Sequence, residues 1–296
     1  VDLVPFKACP YDCVYCQLGP TRTLTCDRGV FAPVGVLVKE IERALEKGPA
    51  PDAITLAGSG EPTLYWLMGK LIAALKGITD IPVVLLTNGS LFWDAGVRKE
   101  AALADRVLPS LDAGDASTFR AVNRPHPDLG LDLVVAGMEA FRIEFAGPVW
   151  LEVMVVAGLN DHPDQIRAIA DKVLRIRPDR IHLNTPVRPS PLGLQAVVPE
   201  ERLRGFCSLF TPEAEVVADF KPAPNAVGVQ DDGIGKRLLE LLSRRPCTVE
   251  DASRGLSAAP NEVVKALATL EADGRVRREN QGPRLFFEIQ RNGGSP

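Results

Sequence analysis

"AITLAGSGEPT", residues 53–63, decides how this chain is read. Its first half, from Ile54 to Ala57, is short, apolar and rich in strand formers. Its second half runs through Gly58, Ser59 and Gly60 to Glu61 and Pro62. An acid followed by proline is a helix-start pattern, because proline's fixed φ suits the first turn and a carboxylate is favoured at the positive helix end. Leu64, Leu67, Leu71 and Leu75 then recur at helical spacing. A buried strand, a polar loop and an amphipathic helix therefore follow one another within 25 residues.

The same alternation extends in both directions. Strand-like runs appear at "VDLVPF" (1–6), "PVVLLTNG" (82–89), "RVLPSLD" (106–112), "VWLEVMVVAG" (149–158) and "RIHLNTPV" (180–187). Between them lie helical stripes: Val34, Leu37, Ile41 and Leu45; Val134, Met138 and Phe141; Ile166, Ile169 and Val173. Strand alternating with helix implies an α/β protein with a parallel sheet, either open or curled into an incomplete barrel. In both arrangements reactive groups gather at the strand C-terminal ends. There the sequence places "GSGEPT", "TNGS", "SLDA", "AGLND" and "NTPVRP". Gly, Asn and Asp also serve as plain turn residues, so each loop taken singly has a structural reading.

After the first run comes "ACPYDCVYCQ", residues 8–17, with Cys9, Cys13 and Cys16 at C-x3-C-x2-C spacing. Three clustered thiols suit a metal site better than a disulfide framework in a chain of 296 residues without a secretory signal pattern. Cys26 could complete a four-thiolate zinc site, or serve as a substrate-facing thiol or a loop residue. Cys207, in "LRGFCSLF", reads as a small apolar side chain of a helix core.

The cysteine spacing, with Tyr15 just before the third cysteine, resembles the radical S-adenosylmethionine (radical SAM) superfamily, and the later motifs fall in matching order over residues 1–215. The resemblance implies a partial (βα)6 TIM-like barrel. It implies a [4Fe–4S] cluster on Cys9, Cys13 and Cys16, with one iron left for S-adenosyl-L-methionine. Reductive cleavage of that cofactor would give a 5′-deoxyadenosyl radical that takes hydrogen from a substrate, the electron coming from a flavodoxin- or ferredoxin-type donor. Cofactor contacts carry over to Tyr15, Gly58, Ser59, Gly60, Glu61, Thr87, Asn88, Ser110, Asp112 and Val155. Glu61 matches the acid that meets the cofactor's amino group, beside its helix-start reading. Within the superfamily, "GSGEPTLY", "TNGSL", "PSLDA", "NRPH" and "LNTPVRP" look like a group related to archaeal wyosine synthases, which modify tRNA. On the substrate side stand Arg124 and Arg188, as clamps for a carboxylate or phosphate, and His126 for proton transfer. The rival reading of "NRPH" is a rigid loop whose Arg pairs with a neighbouring acid.

Beyond residues 1–220, "KPAPNAVGVQ" (221–230) has the composition of a linker. Residues 231–296 read as three helices followed by a two-stranded wing, the pattern of a winged helix-turn-helix domain. They hold 11 Lys/Arg against 10 Asp/Glu, so a lid, partner-docking or substrate-delivery module is expected ahead of DNA binding. An iron–sulfur redox regulator acting through DNA is the alternative to an enzyme. Net charge of −4 gives no whole-molecule field favouring nucleic acid. No apolar run approaches the roughly 20 residues of a membrane span, and a cytoplasmic protein is expected.

Overall fold

The computed structural model of the chain describes residues 1–47, 51–187, 196–218, 220, 233–256, 258, 260–281 and 284–290. They cluster into two compact units. The first takes Val1–Val14, Pro20–Thr185 and Val198–Ala218; the second takes Tyr15–Gly19, Pro186–Val197 and Asp219–Pro296.

In the first unit, β1 (Ala8–Cys9) pairs in parallel with β2 (Thr23–Leu24), and α1 (Val34–Lys47) follows. The chain then alternates as β3 (Ile54–Leu56), α2 (Met68–Ile78), β4 (Val83–Thr87), α3 (Ala95–Ala101) and β5 (Arg106–Pro109). Next come α4 (Ala116–Val122), α5 (Leu131–Glu144), β6 (Trp150–Met154), α6 (Pro163–Ile176), β7 (Arg180–Asn184), α7 (Glu200–Phe206) and β8 (Glu215–Val216). Strands β3, β4 and β5 form one parallel sheet, and β6, β7 and β8 another. Parallel bridges Val107↔Val149 and Ser110↔Glu152 join β5 to β6, so the strands stand side by side in chain order.

Burial alternates along the strands as the pleat requires. Leu151 and Val153 of β6 and Ile181 and Leu183 of β7 are buried, whereas Trp150, Glu152, Met154, His182 and Asn184 are partly accessible. Val134, Met138, Phe141, Ile166, Ile169 and Val173, residues of the helical stripes, are buried as well. Phe92 stacks on Phe141 with ring centroids 4.4 Å apart. Asp94 and Asp115 start α3 and α4 by accepting the first free amides, from Gly96 and Val97 and from Ser117 and Thr118. The parallel strands β3 to β7 thus deliver their next residues to one edge.

Two details differ from the sequence reading. "VDLVPF" is not a strand: only Asp2 bridges, in parallel, to Ala57. Pro5 lacks the N–H a ladder needs, its carbonyl accepts the Ala8 amide in a turn, and Lys7 takes a left-handed φ of 60°. The pairing moves instead to Ala8–Cys9. Two short strands, β2 and β8, carry no periodic signal at two residues each.

In the second unit, α8 (Ile234–Arg244), α9 (Val249–Leu256) and α10 (Pro260–Ala272) precede β9 (Val276–Gln281) and β10 (Arg284–Ile289), which pair antiparallel. Cys247 exchanges both backbone hydrogen bonds with Phe287. Thr248 and Asp251 cap α9 reciprocally. Leu238, Leu242, Cys247, Leu256, Val263, Leu267, Val276 and Phe287 belong to one apolar core. The proposed linker 221–230 lies outside the described residues. No helix among the described residues is long and apolar enough to cross a membrane.

Candidate functional site

The glycine-rich loop after β3 is packed against the segment that carries the cysteines. A Cβ on Gly60 would lie 2.0 Å from the Ala8 carbonyl oxygen, and one on Gly58 would lie 2.0 Å from Asp2 Oδ1. Lys7 N donates to Ser59 O at 2.7 Å and Glu61 N donates to Ala8 O at 3.0 Å. Both the Ser59 amide and its hydroxyl donate to Asp2 Oδ2. The glycines therefore serve a close approach of chain to chain that puts Cys9 beside the strand ends.

Glu61 is the hub of that edge. It caps the short 3-10 turn Pro62–Leu64 and is 2% exposed, far less than a solvent-facing acid. Its Oε1 accepts from Thr63 N at 3.0 Å, Thr63 Oγ1 at 2.6 Å and Thr87 Oγ1 at 2.6 Å; Oε2 accepts from Asn88 N at 2.8 Å. Burial raises its pKa, and these bonds offset part of the rise. Glu61 thus starts the 3-10 turn as its sequence position suggests, with Oε2 the less committed oxygen.

Two asparagines reach the sulfurs. Asn88 Nδ2 donates to Cys9 Sγ at 3.4 Å, and Asn123 Nδ2 donates to Cys13 Sγ at 3.5 Å. Tyr11 N also donates to Cys9 Sγ at 3.5 Å. Asn123 Nδ2 further donates to Asp112 Oδ2 at 2.6 Å, while Asp112 Oδ1 accepts from Met154 N at 2.9 Å. Asn160 staples the far side, donating to Asp112 O and Met154 O. Buried atoms without a hydrogen-bond partner among the described residues include Asn123 Oδ1 and the Tyr11 hydroxyl. The Tyr11 pKa is pushed well up, first by burial and then by Cys13, Asp112, Cys9 and Glu61.

Ser110 donates its amide to Thr87 O at 3.1 Å and bridges to Glu152. Val155 is fully buried; the accessible side chain of that stretch is Met154. Glu152 itself is a partly accessible carboxyl whose pKa is raised to about 7, by burial first and by Asp112 second, against a hydrogen bond with Asn184. The sequence singles out no role for Glu152, and Asn123 enters it only as the first residue of "NRPH". The signal for Glu152 was a lone charge inside "VWLEVMVV".

The loop "NRPH" backs the cysteine segment. Asp12 N donates to Asn123 O and Arg124 O, Tyr11 bridges Pro125, and His126 N donates to Pro10 O. Arg124, at φ 44°, lies 3.7 Å from the Asp12 carboxylate, and His126 Nδ1 lies 3.5 Å from Asp128. Arg124 thus stands beside a neighbouring acid. Tyr15 and Cys16 belong to the segment Tyr15–Gly19 of the second unit. Arg188 lies outside the described residues. Cys26 is held as a thiol, its pKa raised to about 11 by burial and by Asp128 and Asp27. Among the described residues no three His, Cys, Asp or Glu side chains already stand at metal-holding distance, so the three-cysteine ligand set rests on sequence spacing.

A family model described as the radical SAM superfamily matches residues 3–173. The chain belongs to the radical SAM superfamily. It is 33% identical over 290 residues to a UPF0026 protein of Helicobacter pylori, covering 97% of this chain and 92% of that one. It is 34% identical over 280 residues to a protein of Brachyspira hyodysenteriae named GTPase Obg, covering 94% of this chain but only 41% of that relative. A solved structure titled "Native anSMEcpe with bound AdoMet" superposes with a TM-score of 0.53 at 16% identity, over 84% of this chain and 70% of that one, which is a likeness of fold. Membership of the superfamily implies S-adenosylmethionine and an iron–sulfur cluster. The donor set fits them: Cys9 and Cys13 sulfurs sit as hydrogen-bond acceptors, and Asn123 Oδ1 is a buried acceptor still wanting a donor.

Proposed function

We propose that Cys9, Cys13 and Cys16 hold a [4Fe–4S] cluster, that S-adenosylmethionine binds beside it, and that β3 to β8 curl as a partial barrel around the substrate. When bound, these groups supply one-electron cleavage of a carbon–sulfur bond and, from it, hydrogen-atom abstraction. The chain's own residues bind and position. Glu61 Oε2, with a single donor among the described residues, is the acceptor for the cofactor's ammonium group. Asp112 and the unpartnered Asn123 Oδ1 are acceptors for its hydroxyl groups. Ser110, Glu152, Met154 and Asn184, on the accessible strand face, are the substrate-side residues, ahead of Arg124 and His126. The observation that carries the reading is that two of the motif's sulfurs stand at the strand-end loops, Cys9 Sγ 3.4 Å from Asn88 Nδ2 after β4 and Cys13 Sγ 3.5 Å from Asn123 Nδ2.

We read residues 231–296 as a winged-helix module that positions substrate or partner, supported by their helix order, their hairpin and a near-neutral charge. The name of the Brachyspira relative does not extend here: neither Gly-Lys pair, Gly69-Lys70 or Gly235-Lys236, is followed by Ser or Thr as a phosphate loop requires. A flavodoxin- or ferredoxin-type protein is the proposed electron donor.

Anaerobic reconstitution tests the reading. The protein should take up about four irons per chain and absorb broadly near roughly 400 nm. With a low-potential reductant it should convert S-adenosylmethionine to 5′-deoxyadenosine. Replacing Cys9, Cys13 or Cys16 by Ala should abolish both, and Cys26→Ala should abolish neither. Tightly held zinc with no uptake of iron would overturn it.

A further inference from the structure

Two side chains at the strand ends share one construction. The Asn88 amide is fixed from three sides: its backbone N–H donates to Glu61, its Oδ1 accepts Ser90 N at 2.9 Å, and its Nδ2 faces Cys9 Sγ. Asn123 ends α4, where its backbone N–H donates to Phe119 O at 3.0 Å. One of its two side-chain N–H bonds is taken by Asp112, itself pinned by Met154 N, which directs the other toward Cys13 Sγ. In both cases a buried carboxylate bonds the asparagine, at the backbone N–H of Asn88 and at the side-chain amide of Asn123, and the side chain points a donor at a cysteine of the C-x3-C-x2-C motif. The repetition on unrelated loops, after β4 and after α4, is more than packing asks of either residue.

We propose that Asn88 and Asn123 are positioning residues that raise the reduction potential of the cluster by donating N–H bonds to two of its three thiolates. The proposal rests on the cluster reading above. One electron, passed from a flavodoxin- or ferredoxin-type donor, adds one negative charge that spreads over the core and its sulfurs; no bond breaks and no proton is taken up. A donor aimed at sulfur stabilises the more negative, reduced state more than the oxidised one, since hydrogen bonds to charged acceptors are the stronger ones. Hydrogen bonding to cluster sulfurs and to their supporting shell is a recognised lever on iron–sulfur potentials. Asp112 acts through Asn123 by holding its side-chain amide in the donating orientation; at Asn88, Glu61 holds the backbone N–H and Ser90 N holds the side-chain oxygen.

The test is a redox titration of the reconstituted full chain followed by the electron-spin signal of the reduced cluster. Asn88→Ala and Asn123→Ala should each keep about four irons per chain and shift the midpoint to more negative values. Because the two donors serve different sulfurs, the double variant should shift by about the sum. Should a variant lose iron, the wild type still answers the question. With nitrogen-isotope-labelled asparagine, the reduced cluster should show magnetic coupling to asparagine nitrogen, and absence of that coupling overturns the proposal. Full iron content with unmoved midpoints also overturns it while leaving the cluster reading intact. A wild type that takes up no iron brings down both.

Discussion

Glu152 occupies a position on β6 where one carboxyl is squeezed between burial and the neighbouring Asp112 carboxylate, with only Asn184 favouring its charged form. Its pKa of about 7 in the folded protein stands above the usual carboxylate range. Through the window from roughly pH 4.5 to 7 the folded chain keeps a proton that the unfolded chain has already lost. Folding stability contributed by this group therefore falls as pH rises through that window and levels off above it. Glu152→Gln should remove the slope, leaving the variant more stable than wild type at about pH 8 by on the order of 1–3 kcal/mol, with little difference at about pH 5. Anaerobic urea unfolding at the two pH values measures it. An identical pH response in both proteins would show that Glu152 titrates normally.

At the scale of elements, the glycine-rich loop works as a seat for β1. Its requirement is steric and can be read from a single position: a methyl group at Gly60 would meet the Ala8 carbonyl oxygen at 2.0 Å, and that oxygen is held by Glu61 N. Gly60→Ala should push the cysteine segment off the loop, cost about 1–3 kcal/mol as an overpacked contact does, and lose most of the iron taken up on reconstitution. Gly35, inside α1, has open space where its Cβ would stand. Gly35→Ala is the matched control, with a gain of about 0.5–1 kcal/mol and unchanged iron content. Equal iron content in Gly60→Ala would mean that the loop does not position Cys9.

At the scale of the whole molecule, the core that Leu238, Leu242, Val263, Leu267 and Phe287 share lies, among the described residues, within 234–289. Such a unit folds on its own when its apolar faces are mutually covered. Expressed alone, residues 231–296 should unfold cooperatively on heating, with Leu238→Ala lowering stability by about 2–5 kcal/mol. Mixed with duplex DNA, the same fragment should show no binding that falls steeply with salt, because 11 basic residues are balanced by 10 acidic ones. Salt-steep duplex binding at physiological ionic strength would instead favour the DNA-acting alternative.

The sequence by itself determined the alternation of strand and helix, because burial on the pleat and on the helical stripe writes directly into residue spacing: Leu151 and Val153, or Ile166, Ile169 and Val173, are buried as their periodicity requires. It also determined the cysteine spacing and, with it, the superfamily. Only the tertiary structure decided what those residues meet. Gly60 and Ala8 lie 52 positions apart, Asn123 and Cys13 lie 110 apart, and nothing local in "NRPH" says that its asparagine bonds a sulfur while its arginine pairs with Asp12. Hydrogen bonds and carboxyl pKa values depend on through-space neighbours and on the water those neighbours exclude, and a linear spacing carries neither. Strand periodicity failed at "VDLVPF" for a related reason: apolar composition suited a strand, but pairing needs an N–H that Pro5 lacks, and the chain turned there to bring Cys9 to the strand ends.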